Sequence, residues 1–443
     1  MLLSFSCQNF KSFNKEATLS LIPETRLTEL KYSILHQKIG KKSVKALSTA
    51  VIYGPNASGK TSMINAMSCL RQIVLKGNIE DNADDLTGDH VSARMNLIPF
   101  KFNKEAKPIS FDISFVTDGI KFRYTLDFFV GLFLEEKAER FIKKEELSIN
   151  DHIVFTREKD RVTTLQVKPI IHYLNMGDLI NNTEMVQEMM TANISPRTLL
   201  LTTDFNSFCS KKIVEMMTKW FTNDFLVINR SNEKKFLPTI PQKEGIALID
   251  QRLNKIAKEA GILGSDFAYA YDPDTNQEKL ITVLEKNNNK VVGIDSEQVE
   301  SVGTLRLIKM MPVILYALSH GSSLIIDELD ASLHPTIIMN IVAIFHNDEI
   351  NKHGAQLIFN THNPIYLNNR LLRRDEIKFV EKDDNGSSIY ALSDFKTNGE
   401  ISVRKTTDYM KNYFVNRYGA ILDIDFSDII DDIINGENED GKR

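Results

Sequence analysis

Gly54-Pro55-Asn56-Ala57-Ser58-Gly59-Lys60-Thr61 spells G-x-x-x-x-G-K-[ST], the pattern of a phosphate-binding loop. Its flanks give the pattern meaning. Ala50-Val51-Ile52-Tyr53 is a short, apolar, β-prone run and reads as a buried strand, while Met63, Ile64, Met67 and Leu70 fall at helical spacing between Thr61 and Leu75. A strand that turns through glycines into a helix aims backbone N–H groups, and the positive end of the helix, at a polyphosphate. Residues Gly54, Pro55, Asn56, Ala57, Ser58 and Gly59 would wrap the phosphates. Lys60 would reach the β- and γ-phosphates, and the Thr61 hydroxyl would ligate Mg²⁺. The expected ligand is a nucleoside triphosphate.

Far downstream, Ser323-Leu324-Ile325-Ile326-Asp327-Glu328 is an apolar strand ending in two adjacent acids. In P-loop enzymes the first such acid, here Asp327, holds the metal, and the next, Glu328, can polarise the attacking water. Leu329-Asp330-Ala331-Ser332-Leu333-His334-Pro335 follows, and then a further strand, Ala355 to Asn360, runs into Thr361-His362-Asn363. Ahead of the acids, Glu300-Ser301-Val302-Gly303-Thr304 opens an apolar helical pattern from Leu305 to Leu318. Small residues at a helix start offer N–H groups and a hydroxyl to an anion.

Composition sets the class. The chain has 443 residues, 42% hydrophobic and 26% charged, enough for a large core and two structural units. Its net charge of −5 gives no global pull toward nucleic acid, although Lys38, Lys41, Lys42 and Lys45 form a local basic stretch. Cys7, Cys69 and Cys209 lie far apart with no C-x-x-C, which suits a reducing compartment and excludes a cysteine zinc cluster within the chain. There is no basic segment with an apolar h-region at the start, and no uninterrupted apolar run of membrane-spanning length. A soluble, cytoplasmic protein without a membrane partner is expected.

Along the chain, residues 1–173 read as the first half of a nucleotide-binding domain. This half carries the loop and an antiparallel β lobe: Leu2 to Phe13, Ala17 to Leu21, and short strands between 97 and 157, with a hairpin signal at Thr117-Asp118-Gly119. Residues 174–262 read as a helical insertion, including Val214 to Phe221 and Ile246 to Ala260. Residues 263–425 supply the second half, with short strands from Phe267 to Val292 and a closing hairpin around Asp383-Asp384-Asn385-Gly386. Residues 426–443 form an acidic terminal helix and tail, with Phe426, Ile429, Ile430, Ile433 and Ile434 on one face. The fold class is α/β, with a mixed core sheet.

Taken in order, Asn9-Phe10-Lys11-Ser12-Phe13, the 54–61 loop, Ser301-Val302-Gly303-Thr304, Asp327-Glu328-Leu329-Asp330, His334-Pro335, Thr361-His362-Asn363, and Asn412-Tyr413 with Arg417-Tyr418-Gly419-Ala420 resemble the bacterial AAA-type, ABC-type P-loop ATPases related to RecF, SMC and OLD proteins. The resemblance covers nearly the whole chain. It implies a homodimer, or a higher homo-oligomer, holding two ATP molecules with Mg²⁺ between subunits. Glu328 would then activate water and His362 would contact the γ-phosphate in cis. Ser301 and Gly303 would cover the γ-phosphate in trans, Asp330 would link the two sites, and Lys11 would line the adenine side. The usual Leu-Ser-Gly-Gly-Gln signature is reduced to Ser-x-Gly, and no Q-loop glutamine stands between 98 and 145.

Similar proteins, such as the ATPases of the PARIS and Septu systems, imply a phage-defence or abortive-infection role. In that role the chain would act as a sensor holding or releasing a separately encoded effector, a nuclease or toxin. The alternative is a RecF- or SMC-like repair or chromosome ATPase with DNA as a ligand. An OLD-like nuclease is a third class, since Asp423-Ile424-Asp425 mimics paired TOPRIM acids. Only 81 residues follow His362, however, too few for that added domain.

Overall fold

The computed structural model describes residues 1–80, 97–133, 135, 138–229, 247–272, 277–287, 290–395, 403, 406–421 and 425–436. Its central sheet has six strands in the order Phe225–Ile228, Ser323–Ile326, Gln356–Asn360, Thr49–Tyr53, Ile377–Asp383, Gly386–Ala391. The first five run parallel and the last pairs antiparallel. Every residue of Thr49–Tyr53, Ser323–Ile326 and Gln356–Asn360 is buried. A strand covered on both faces needs a continuous apolar run, which is why these segments stood out in the sequence. Parallel pairing brings the phosphate loop, the acid pair and the histidine to the same edge, the carboxyl ends of the strands, where open α/β sheets bind ligands.

Beside the central sheet lies a seven-stranded antiparallel meander in the order Arg161–Leu165, His152–Glu158, Phe141–Ile149, Ile120–Phe129, Ile109–Thr117, Leu2–Gln8, Ala17–Ser20. Its strands alternate; along Ile120–Phe129 every second residue is buried. The sheet is larger than the one expected, because Phe141–Ile149 carries four charged or polar residues in sequence and gave only a faint apolar signal. Trp220 stacks on Phe115 at 3.8 Å and on Phe225 at 4.9 Å, joining this sheet to the edge of the central one. Gln356, fully buried, stitches the two sheets. Its Oε1 accepts from Leu2 N (2.6 Å) and Ser323 Oγ (2.8 Å), and its Nε2 donates to Leu2 O (3.0 Å) and Leu47 O (2.9 Å).

Within 174–262 the helices are Thr183–Ala192, Lys211–Lys219 and Gln251–Glu259, with wider π turns over Leu201–Cys209 and Trp220–Asp224. The stretch is not wholly helical. Phe225–Ile228 is an edge strand of the central sheet, paired in parallel with Ser323–Ile326. Four consecutive buried apolar residues satisfy a strand and a core helix equally, and only the neighbouring strand decides. The helix expected from Ile246 begins at Gln251, after a short strand Ala247–Leu248; Ile246 itself lies outside the described residues. The basic stretch is a hairpin, Ile34–Ile39 with Lys42–Leu47.

The helix Val302–His320 is capped by Ser301 at one end and Gly321 (φ 73°) at the other. By length and apolarity it could cross a membrane, the one such helix among the described residues. Arg306 and Lys309 interrupt its apolar run, and Ile308, Ile314 and Ala317 are buried in the core. The terminal helix spans Ser427–Gly436. Its isoleucines Ile429, Ile430, Ile433 and Ile434 are each more than half exposed. Asp423 and Ile424 lie outside the described residues.

Candidate functional site

The loop enters its helix through Gly59, whose φ of 118° is open chiefly to glycine. A Cβ there would meet Ser12 Oγ at 2.5 Å and Ser387 Oγ at 2.7 Å. Two distant segments therefore brace the loop from outside. Ser387 N donates to Ser12 O (2.7 Å), and Ser387 Oγ donates to Ser58 O. Lys11 sits in the tight turn between Phe10 and Phe13 with φ 49°, half-buried, its ammonium 5.7 Å from the Phe10 ring centre. Burial lowers the Lys11 pKa, opposed by Cys69 and Asp327. Asn56, Ala57 and Thr61 form the exposed rim of the loop.

Lys60 begins the helix Lys60–Lys76 and folds back over the loop. Its Nζ donates to Gly54 O (2.8 Å) and Pro55 O (2.9 Å) and stands 3.5 Å from His362 Nδ1. Burial pulls its pKa down to about 8, against the attraction of Glu328 and Asp327. Burial, and then the charge of Lys60, also lower the pKa of His362. A neutral imidazole is therefore favoured at neutral pH, one that can donate a hydrogen bond to a phosphate while accepting another.

Thr61 Oγ1 donates to Asp327 Oδ1 at 3.0 Å. Adjacent corners of an oxygen octahedron of about 2.1 Å radius are about 3.0 Å apart, so this pair fits neighbouring ligand positions of Mg²⁺. Among the described residues no cluster of three His, Cys, Asp or Glu forms a metal cage. That suits an ion which keeps several waters and takes its remaining ligands from substrate phosphates. Ser12 Oγ and Ser58 Oγ are buried at the loop without a hydrogen-bond partner.

The acid pair is organised by Asn360, a buried residue at the end of the adjacent strand. Its Nδ2 donates to Asp327 Oδ1 (2.6 Å), and its Oδ1 accepts from Glu328 N. Glu328 is held in the left-handed region at φ 52°. One residue on, Thr361 Oγ1 donates to Asp330 Oδ2 (2.6 Å) and accepts from Asn363 N (2.9 Å). Hydrogen bonds thus tie the strand before His362 to the turn after the acids at several points.

Lys60, Thr61, Asp327, Glu328 and His362 therefore share one strand edge. Ser301 and Gly303 belong to a neighbouring turn. Ser301 is exposed, and its Oγ caps its own helix by accepting from Thr304 N at 3.1 Å. Gly303 packs against the Ser332 carbonyl. Sequence reasoning passed over Asn360, Ser387 and Arg306. A polar residue closing a buried strand and a lone arginine early in an apolar helix are the signals that could have marked two of them. Nothing local marks Ser387.

The family model described as "AAA domain, putative AbiEii toxin, Type IV TA system" matches residues 50–166 and 216–368. No curated protein matches the chain. Among solved structures, similarity extends to an SMC head bound to the C-terminal winged-helix domain of ScpA, at 14% identity over 88% of this chain and 97% of that one, with a TM-score of 0.40. The SMC head domain from Thermotoga maritima is also 14% identical, over 88% and 98%, with a TM-score of 0.33. A third is the SMC head with an extended coiled coil, bound to the C-terminal domain of ScpA from Pyrococcus furiosus, at 14% identity over 88% and 96%, TM-score 0.35. The family match takes in more than half of the chain, including the loop, the acid pair and the histidine. On that footing the chain is a P-loop ATPase and belongs to the AAA-domain family of the putative AbiEii toxins of Type IV TA systems.

Proposed function

We propose that this chain binds ATP with Mg²⁺, hydrolyses it at a composite interface between two copies, and uses that cycle as the sensor of a phage-defence pair to control a separately encoded effector. The observation that carries the catalytic part is the hydrogen-bond chain from Thr61 through Asp327 and Asn360 to Glu328, beside Lys60 and His362. The loop N–H groups and Lys60 bind the phosphates, and Lys60 moves from the Gly54 and Pro55 carbonyls to do so. Thr61 and Asp327 would hold Mg²⁺, which supplies charge neutralisation on the phosphates when bound. Glu328 takes the proton from an attacking water, and His362 hydrogen-bonds the γ-phosphate. Lys11, in the Phe10–Phe13 turn next to Ser12, would line the adenine side on this reading. Ser301 and Val302 are exposed at the start of that helix and Gly303 is half-buried beside them, which supports a surface that completes the second copy's site.

The family description supports a toxin–antitoxin or defence setting, and the exposed isoleucine face of Ser427–Gly436 supports docking of a separate protein. The three cysteines are buried and none is in a disulfide, in keeping with a reducing, cytoplasmic setting. A second reading, a DNA-acting repair ATPase, draws on the exposed Lys38, Lys41, Lys42 and Lys45 of the hairpin.

The catalytic part and the output part of the proposal are tested separately. Glu328→Gln should bind ATP and turn it over very slowly, Lys60→Ala should lose ATP affinity, and mixing Lys60→Ala with Ser301→Arg subunits should restore part of the turnover that each lacks alone. Near-normal turnover in Glu328→Gln refutes the role given to that carboxylate, and mixed dimers without recovery refute the shared site. For the output, the purified protein should cleave neither DNA nor RNA with Mg²⁺ and ATP. Deleting 426–443 should weaken co-purification with the product of an adjacent reading frame more than it lowers ATP turnover. Intrinsic nuclease activity lost in Asp423→Ala would overturn the effector model.

A further inference from the structure

The carboxylate assigned to water activation stands on a strained backbone, and the strain is held by groups from two other elements. Glu328 has φ 52°, a conformation that costs a residue with a Cβ of order 1 kcal/mol or more and persists only where neighbours impose it. Its N–H donates to Asn360 Oδ1, from the strand that precedes His362. Its carbonyl accepts from Arg306 Nη2 at 2.6 Å and from Ala331 N at 3.0 Å. Arg306 lies on the second turn of Val302–His320, five residues after Ser301, in a helix that is otherwise mostly apolar up to Leu318. It is half-buried.

The same helix start touches the turn after the acids a second time, where Gly303 packs against the Ser332 carbonyl. Ser332, too, is left-handed, at φ 63°. Both ends of the turn, Glu328 and Ser332, are thus left-handed and both lean on one helix. A rigid-body shift of that helix must carry the Glu328 peptide with it or break a charge-assisted hydrogen bond.

We propose that Arg306 is a positioning residue that makes the placement of the Glu328 carboxylate depend on the seating of the helix begun by Ser301. The inference rests on the proposed role of Glu328. In mechanism, a second copy's nucleotide docking against Ser301 and Gly303 fixes the helix, and Arg306 transmits that fixation to the residue that must hold water in line. An unseated helix leaves Glu328 free to leave its left-handed conformation, and hydrolysis waits on assembly.

The test uses the full chain with Arg306→Ala, Arg306→Lys, Glu328→Gln and the double variant Arg306→Ala/Glu328→Gln. Each is measured for kcat, KM, ATP affinity and melting temperature. Loss of one charge-assisted hydrogen bond to the catalytic backbone should lower kcat in Arg306→Ala roughly ten- to hundredfold, with ATP affinity and KM within about twofold of wild type. Arg306→Lys, which keeps a cationic donor, should recover part of kcat. The double variant should be no slower than Glu328→Gln alone, because the two groups act as a unit. Wild-type kcat in Arg306→Ala beside a dead Glu328→Gln overturns the inference and leaves the catalytic assignment standing. So do additive losses in the double variant, or a parallel fall of ATP affinity and melting temperature that lysine does not repair. Wild-type turnover in Glu328→Gln overturns both.

Discussion

Replacing Gly303 by alanine adds one methyl group at the contact between the Ser301 turn and the turn after the acid pair. That methyl would stand 2.5 Å from the Ser332 carbonyl oxygen, where ordinary contact begins at 3.4 Å. The obstacle is backbone, already left-handed, and pinned by the Leu333 N to Asp330 O bond at 3.1 Å, so no side-chain rotation relieves it. The helix start must therefore back away by about 1 Å, a displacement that near catalytic groups costs on the order of a hundredfold in rate. Stability should move far less. Alanine gains about 1 kcal/mol over glycine in a helix, against about 1–3 kcal/mol for the overpacked contact. For a chain this long that net cost shifts melting by only a few degrees. Steady-state ATP turnover, ATP affinity and thermal melting on the same preparation separate the outcomes. The expected result is a large fall in kcat with near-native affinity and melting. Turnover within twofold of wild type, with unchanged melting, would mean that the turn at 301–303 takes no part in hydrolysis.

Two further expectations are open to simple assays. Lys60 carries a pKa of about 8 in the free protein, and phosphates favour its charged form, so ATP binding should take up a proton above that pH. ATP affinity should thus be flat below about pH 8 and fall as pH rises beyond it; affinity that stays flat to about pH 9.5 in calorimetry refutes the assignment. Gln356→Leu removes four buried hydrogen bonds, two to Leu2 of the meander, one to Leu47 of the hairpin and one to Ser323 on the neighbouring central strand. At about 1 kcal/mol each the loss is near 4 kcal/mol, or about 4 °C of melting temperature if the chain unfolds as one unit. A shift below about 1 °C would show that Gln356 does not hold the lobes together.

The loop from Gly54 to Thr61, the acid pair and the Thr361-His362-Asn363 strand end were legible because each is a local grammar: a buried strand with a polar residue type at its carboxyl end. The same logic failed for Phe225–Ile228, whose apolar run carries no period to separate strand from helix, and for Phe141–Ile149, whose polar face hid the strand. Lys38 to Lys45 read only as charge, since a hairpin is settled by the pairing of its two arms.

Type and order of the phosphate-binding parts thus belong to the sequence, because each part needs only its own few residues to declare its chemistry. Their convergence belongs to the tertiary structure. The parallel order of the central sheet sets Asp327 against Thr61 across 266 residues, and hydrogen bonds to Asn360 and from Arg306 fix the strained Glu328 peptide. Ser12 and Ser387 meet at Gly59 from nearly opposite ends of the chain. Such contacts have no local signature. An arginine, an asparagine or a serine becomes a positioning group only when the burial of apolar surface elsewhere brings its partner within hydrogen-bond reach.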